Sequence, residues 1–68
     1  MSDQQYEFRV LGRLSEKTRE AFTDMEVTEI PAETVISTTL AGDDQIHAVL
    51  ALIQSLGLNV ISVERVSS

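Results

Sequence analysis

Residues 43–58 read D-D-Q-I-H-A-V-L-A-L-I-Q-S-L-G-L, and Ile46, Val49, Leu50, Ile53 and Leu56 recur at i, i+3, i+4, i+7 and i+10. That spacing sets all five on one stripe of an α-helix, so the rest of the chain has to supply the surface against which the stripe is buried. Asp43 or Asp44 is placed to accept hydrogen bonds from the free N–H groups of the first turn, and both set negative charge beside the positive end of the helix dipole. Gly57 falls where a left-handed residue closes a helix, and Leu58 where such a closure places an apolar contact back to Ile53. Ala48, Ala51 and Leu52 widen the apolar surface beyond the stripe, which implies a second covering surface on the flank of the helix.

The chain has 68 residues, enough for one small domain, and a domain of this size buries only about 60% of its unfolded surface. It contains no cysteine, which excludes disulfides, thiolate metal sites and cysteine nucleophiles, and fits a reducing compartment with the cytoplasm as the expected location. The first five residues are polar, and no apolar run approaches the roughly 18 residues that would mark a membrane span, so neither a targeting segment nor a membrane partner is expected. Eleven acids against five bases give a formal charge of −6, which repels phosphate backbones and anionic membranes. With three aromatic residues for stacking, nucleic acid is not an expected partner.

Tyr6, Phe8 and Val10 alternate with Glu7 and Arg9, the period-2 signature of a strand with one buried and one wet face. Gly12 ends it, and Ser15 caps a short helix whose Thr18, Ala21, Phe22 and Met25 share a face. A second strand runs from Met25 or Glu26 to Ile30, and Pro31 opens a turn reaching Glu33 or Thr34. Residues 34–40, T-V-I-S-T-T-L, hold five β-branched side chains in seven and form a third strand, with Ile36, Thr38 and Leu40 on one face and Val35, Ser37 and Thr39 on the other. The main helix follows, and residues 59–66 return as a fourth strand.

The order is β-α-β-β-α-β across a single domain, 1–68, with 1–5 and 67–68 frayed. This predicts an α+β, ferredoxin-like fold, in which two helices cover one face of a four-stranded antiparallel sheet. Right-handed crossovers put the first and third strands at the centre and the second and fourth at the edges.

The open sheet face is expected to carry Glu7, Arg9, Ser37, Thr39 and either Ser62 or Glu64, a polar surface without the exposed aromatic platform that RNA-binding domains of this topology use. His47 is the lone histidine, on the rim of the helical stripe, and is the single weak candidate for acid/base catalysis. No ligand set surrounds it, no metal or cofactor site is expected, and Asp43 and Asp44 read as helix caps. Gly12-Arg13-Leu14-Ser15 is more suggestive: a glycine at a strand end, a fixed positive charge and a helix start converge there, so Gly12, Arg13 and Ser15 form a candidate site for a small anion or amino acid. The bland alternative is a cap at Ser15 with Arg13 in solvent.

The element order, the length and the ending L-G-L-N-V-I-S-V-E-R-V resemble an ACT domain, whose second helix closes through a Leu-Gly-Leu type turn into its last strand. That resemblance implies a regulatory domain binding an amino acid at the loop from the first strand into the first helix, here Gly12-Arg13-Leu14-Ser15, without the acidic residue and Pro-Gly pair that often mark it. The chain is also similar to a group of short actinobacterial proteins sharing G-R-L-S and an Ile/Leu-His-x-x-Leu helix ending in Leu-Gly-Leu, which implies no activity. The expected function is therefore a non-catalytic binding or assembly module; the alternative is a small dimeric enzyme using His47. A homodimer is expected, through Ala48, Ala51 and Leu52 or through an edge strand, with a small ligand or a larger protein as further partner.

Overall fold

The computed structural model describes residues 3–66. It is an α+β fold in the order β1 (Gln4–Leu11), α1 (Glu16–Arg19), a 3-10 turn (Glu20–Phe22), β2 (Glu26–Ile30), β3 (Glu33–Leu40), α2 (Asp43–Ser55) and β4 (Val60–Val66). The four strands form one antiparallel sheet in the order β2-β3-β1-β4, so the first and third strands are central and the second and fourth are the edges. Pairing starts at Gln4, opposite Leu40, so Gln4 and Gln5 belong to the sheet and not to a frayed end. Met1, Ser2, Ser67 and Ser68, also expected to fray, lie outside the described residues.

Register fixes the core. Phe8 lies opposite Ile36 on one side and Val63 on the other, and Val27 lies opposite Ile36, so the apolar side chains of four strands share one face. Phe8, Val10 and Ile36 are fully buried there, together with Leu14, Phe22, Leu40 and, from α2, Val49 and Ile53. Both helical segments therefore cover the same side of the sheet. Thr34 is the buried polar residue of that face, and its hydroxyl donates to the Gly12 carbonyl at 2.7 Å.

The long helix follows its periodicity, with differences at both ends. Its N-cap is Gly42, and neither Asp43 nor Asp44 accepts a capping bond, because both already lie inside the first turn. Gln45 closes that end by accepting from the Ala41 N–H at 2.8 Å, while the two aspartates complement the dipole by charge alone. At the other end Gly57 has φ +77°, its N–H donates to Gln54 O at 3.0 Å, and the Leu58 N–H donates to Ile53 O at 3.3 Å, a Schellman closure. Leu56 leaves helical geometry at the C-cap and is exposed, whereas Leu58 turns back onto the core.

The first helix is much shorter than its expected stripe. Ser15 caps it, accepting from the Thr18 N–H at 3.2 Å, but after one turn the chain tightens to 3-10 winding. Ala21 is exposed, Phe22 is buried in the core, and Met25 packs against it from the turn beyond the 3-10 segment. One aromatic anchor does not sustain a longer α-helix, and the tighter winding still delivers Phe22 inward.

Pro31 and Ala32 make a two-residue connection between β2 and β3, and Ala32 has φ +73°. With φ of Pro31 near −65°, this matches the second central position of a type II turn, where glycine avoids a steric cost that alanine bears. Ala32→Gly is expected to stabilise the fold by about 0.5–1 kcal/mol after allowing for the greater freedom of glycine in the unfolded chain, raising the midpoint of thermal unfolding by a few degrees. An unchanged or lower midpoint in calorimetry counts against strain at this turn. Thr34→Val, which keeps the shape but removes the bond to Gly12, is expected to cost about 1–2 kcal/mol in urea unfolding, while Thr34→Ser retains most of that contribution.

Candidate functional site

The expected anion loop begins where β1 ends. Gly12 has φ +88°, its N–H donates to Ala32 O at 2.9 Å and its carbonyl accepts from Thr34, so both sides of this residue are tied to the β2–β3 hairpin. Ser15 is committed to the helix start, accepting from the Thr18 N–H and donating to Thr18 Oγ1 at 3.0 Å. Arg13 is 80% exposed and its Nε donates to Glu29 Oε2 at 2.9 Å. Arg19 Nη1 reaches the other Glu29 oxygen at 3.5 Å, so one β2 carboxylate holds two arginines from the preceding segment. Gly12, Arg13 and Ser15 are thus close in the chain, but the charge that would meet an anion already faces Glu29. A shallow hollow beside it is lined by Arg13, Glu29, Ile30 and Pro31.

The hydrogen bond from Arg13 holds the Glu29 carboxyl below its ordinary 4.5 against the opposing effect of burial, and the nearby charges of Arg13 and Arg19 add to the lowering. The same bond raises the Arg13 pKa, so the two partners agree in direction. Because the folded-state pKa of Glu29 lies below its unfolded value, the stabilisation it brings is fully present above about 4.5 and is lost as the pH falls through the lower folded value.

A second charged arrangement lies on the open face. Arg9 Nη1 donates to Glu33 Oε1 at 3.1 Å, and its Nε lies 3.6 Å from Glu64 Oε1, so one arginine of the central β1 links β3 and β4. The hydrogen bond to Glu33, then the fields of Glu33, Glu64 and Glu7, raise its pKa further. Glu7 lies opposite Ser37 and Glu64, and Arg9 opposite Ser62, so Ser62 and Glu64 both belong to this face. Gln5 Nε2 donates to Ser37 Oγ at 2.9 Å in the same layer. Directly across from Arg9 on β3 is Val35, only 7% exposed although it faces away from the core. The arginine stem and Thr28, on either side of Val35, cover it, which is how a long cationic side chain buries an apolar neighbour while keeping its head in water.

His47 is exposed on α2 and, among the described residues, makes no hydrogen bond that would orient its ring. No group of three or more His, Cys, Asp or Glu side chains among the described residues is arranged to hold a metal ion. Ala48 and Ala51 are exposed on the outer side of α2, whereas Leu52 is half-buried and packed against the core. Leu52 therefore belongs in part to the domain's own interior. No helix of the described residues is long and apolar enough to cross a membrane.

Exposed apolar bulk gathers on the strands: Leu11, Ile30, Ile61 and Val63, with Leu56 at the end of α2. For Ile61 the alternation of the sequence misleads because β4 carries a bulge. Arg9 pairs with Ser62 but Val10 pairs with Val60, so Ile61 is an extra residue that shifts the alternation along the strand.

Residues 5–64 match the family described as a domain of unknown function, DUF8691. No curated protein and no solved structure matches the chain.

The Glu29 pair provides a direct measurement. In an NMR titration the Glu29 carboxyl is expected to protonate below the ordinary glutamate range, and in Arg13→Ala to move back toward it. An identical titration in both proteins would mean that the pair does not persist in solution.

Proposed function

We propose that this chain, which belongs to the DUF8691 family, is a small non-catalytic assembly module of ferredoxin-like topology that acts as a homodimer. The β-α-β-β-α-β order, with β1 and β3 inside and β2 and β4 outside, supports the topology. One observation carries the function: the large apolar side chains left in solvent lie mainly on strands, at the sheet end and on the β4 edge, while the surface hollows are shallow, open and formed largely by the stems of charged and polar residues. A small-molecule site is ordinarily a concave apolar pocket with a few converging polar groups, whereas exposed apolar strand residues suit contact with another protein surface. Self-association also supplies the extra burial that a 68-residue chain without disulfides benefits from.

Light scattering from micromolar to millimolar protein is expected to show a mass rising toward two chains. The thermal midpoint should rise with protein concentration, because association stabilises the folded state by mass action. A one-chain mass and a constant midpoint over that range would exclude the homodimer.

A second reading is favoured by one observation, the exposure of the Arg13 guanidinium beside the hollow at Pro31. Here an ACT-like regulatory domain takes a small carboxylate or amino acid at Gly12, Arg13 and Ser15, with the ligand carboxylate replacing Glu29 on Arg13. Thermal shift against amino acids and small carboxylates tests it: a ligand at a hundred times its Kd adds about 2.7 kcal/mol of stability, and Arg13→Ala abolishes the shift. No shift with any of them leaves the loop as a structural connection.

A further inference from the structure

We propose that β4 is the pairing edge: two copies join antiparallel through it about a two-fold axis at Val63, making one continuous eight-stranded sheet. This rests on the assembly reading above and names the surface that performs it.

The two edges of the sheet are built differently. β2 has five residues, two of them glutamates, and runs into Pro31, which has no N–H to offer. Glu29 on that edge is overhung by Arg13 and Arg19. Short length, charge and proline are the usual means by which a sheet edge is kept from pairing. β4 has seven residues, V-I-S-V-E-R-V, four of them apolar and β-branched. It carries one acid and one base in a chain of net charge −6, so a second copy meets no net repulsion along this edge. Ile61 is 48% exposed and Val63 37% exposed. Like any edge strand, β4 also turns alternate N–H and C=O groups outward.

The side chains select the register. Residues directly opposite in an antiparallel pair project from the same face, so a symmetric pairing that keeps both open faces on one side centres on a single residue. Centring on Glu64 sets two carboxylates against each other, which is unfavourable. Centring on Ser62 leaves Arg65 and Val66 beyond the partner strand. Centring on Val63 pairs the regular part of the strand: Val63 meets Val63, Ser62 meets Glu64, and the bulged Ile61 lies beside the aliphatic stem of Arg65. On the open face Arg9 lies across from Ser62, so Glu64 of the second copy joins the row that contains this arginine. The bulge at Ile61 affects one end of the strand and leaves residues 62–66 in regular pairing with β1.

Because the chain has no cysteine, single substitutions report the interface directly. Residues facing each other at a two-fold axis between antiparallel strands have Cα atoms about 4.5–5.5 Å apart, within disulfide range. Under mild oxidation of the full chain at low micromolar concentration, Val63→Cys is expected to cross-link to a dimer, while Thr28→Cys on β2 and Ala51→Cys on α2 remain monomeric. Val63→Lys, with its fold verified by circular dichroism, should weaken dimerisation at least tenfold in sedimentation equilibrium by placing like charges at the axis. If Val63→Lys does not fold, the cysteine series decides alone. A wild-type dimer that cross-links through position 28 or 51 and not through 63 overturns the β4 interface while the assembly reading stands. A wild-type chain that stays monomeric to millimolar concentration overturns both.

Discussion

Burial of Val49 and Ile53 against Phe8, Val10 and Ile36 is the contact on which this fold depends. The helix that carries them has no side-chain N-cap, and an isolated helix of 13 residues is marginal in water. It forms because its apolar stripe finds the sheet, and the sheet keeps that face dry because the helix lies on it. The short first helix is subordinate to the same contact. It contributes Phe22 and lends Leu14 just ahead of it, and its own hydrogen bonds extend for little more than a turn.

The opposite face is organised by charge. Arg9 occupies the middle of β1, takes one carboxylate from each neighbouring strand and shelters Val35 beside it. Each of these ion pairs is partly exposed and individually worth little. Their collective effect is to make a polar layer that excludes water from one valine and discourages a second sheet from stacking there.

The helix α2, the four strands and their central and edge positions were legible in the sequence, because each rests on a local period or a turn signal: i, i+3, i+4 in α2, alternation at Tyr6, Phe8 and Val10, the β-branched run of β3, and Gly57 at the helix end. What escaped sequence reading is non-local or breaks a period. Glu29 and Arg13 meet across 16 positions, and no spacing rule joins a strand residue to a loop so far upstream. The bulge at Ile61 inserts a residue into an otherwise regular alternation. The burial of Val35 on the wet face is set by its cross-strand neighbour, which only the register reveals. Asp43 and Asp44 looked like caps because their residue type favours that role, but the helix starts one residue too early for either to fill it.

Gly12 offers its N–H to Ala32 and its carbonyl to Thr34, residues on either side of the entry into β3. The segment leaving the central strand is thus stitched to the hairpin at the far edge, bypassing the helix between them in sequence. A displacement of the Gly12-Arg13 connection therefore cannot remain local: it either carries the β2–β3 hairpin with it or breaks both bonds. Slow amide exchange at Gly12 would consequently time the detachment of the hairpin from the body of the sheet, making this one peptide a gauge for the opening of the whole β2 side.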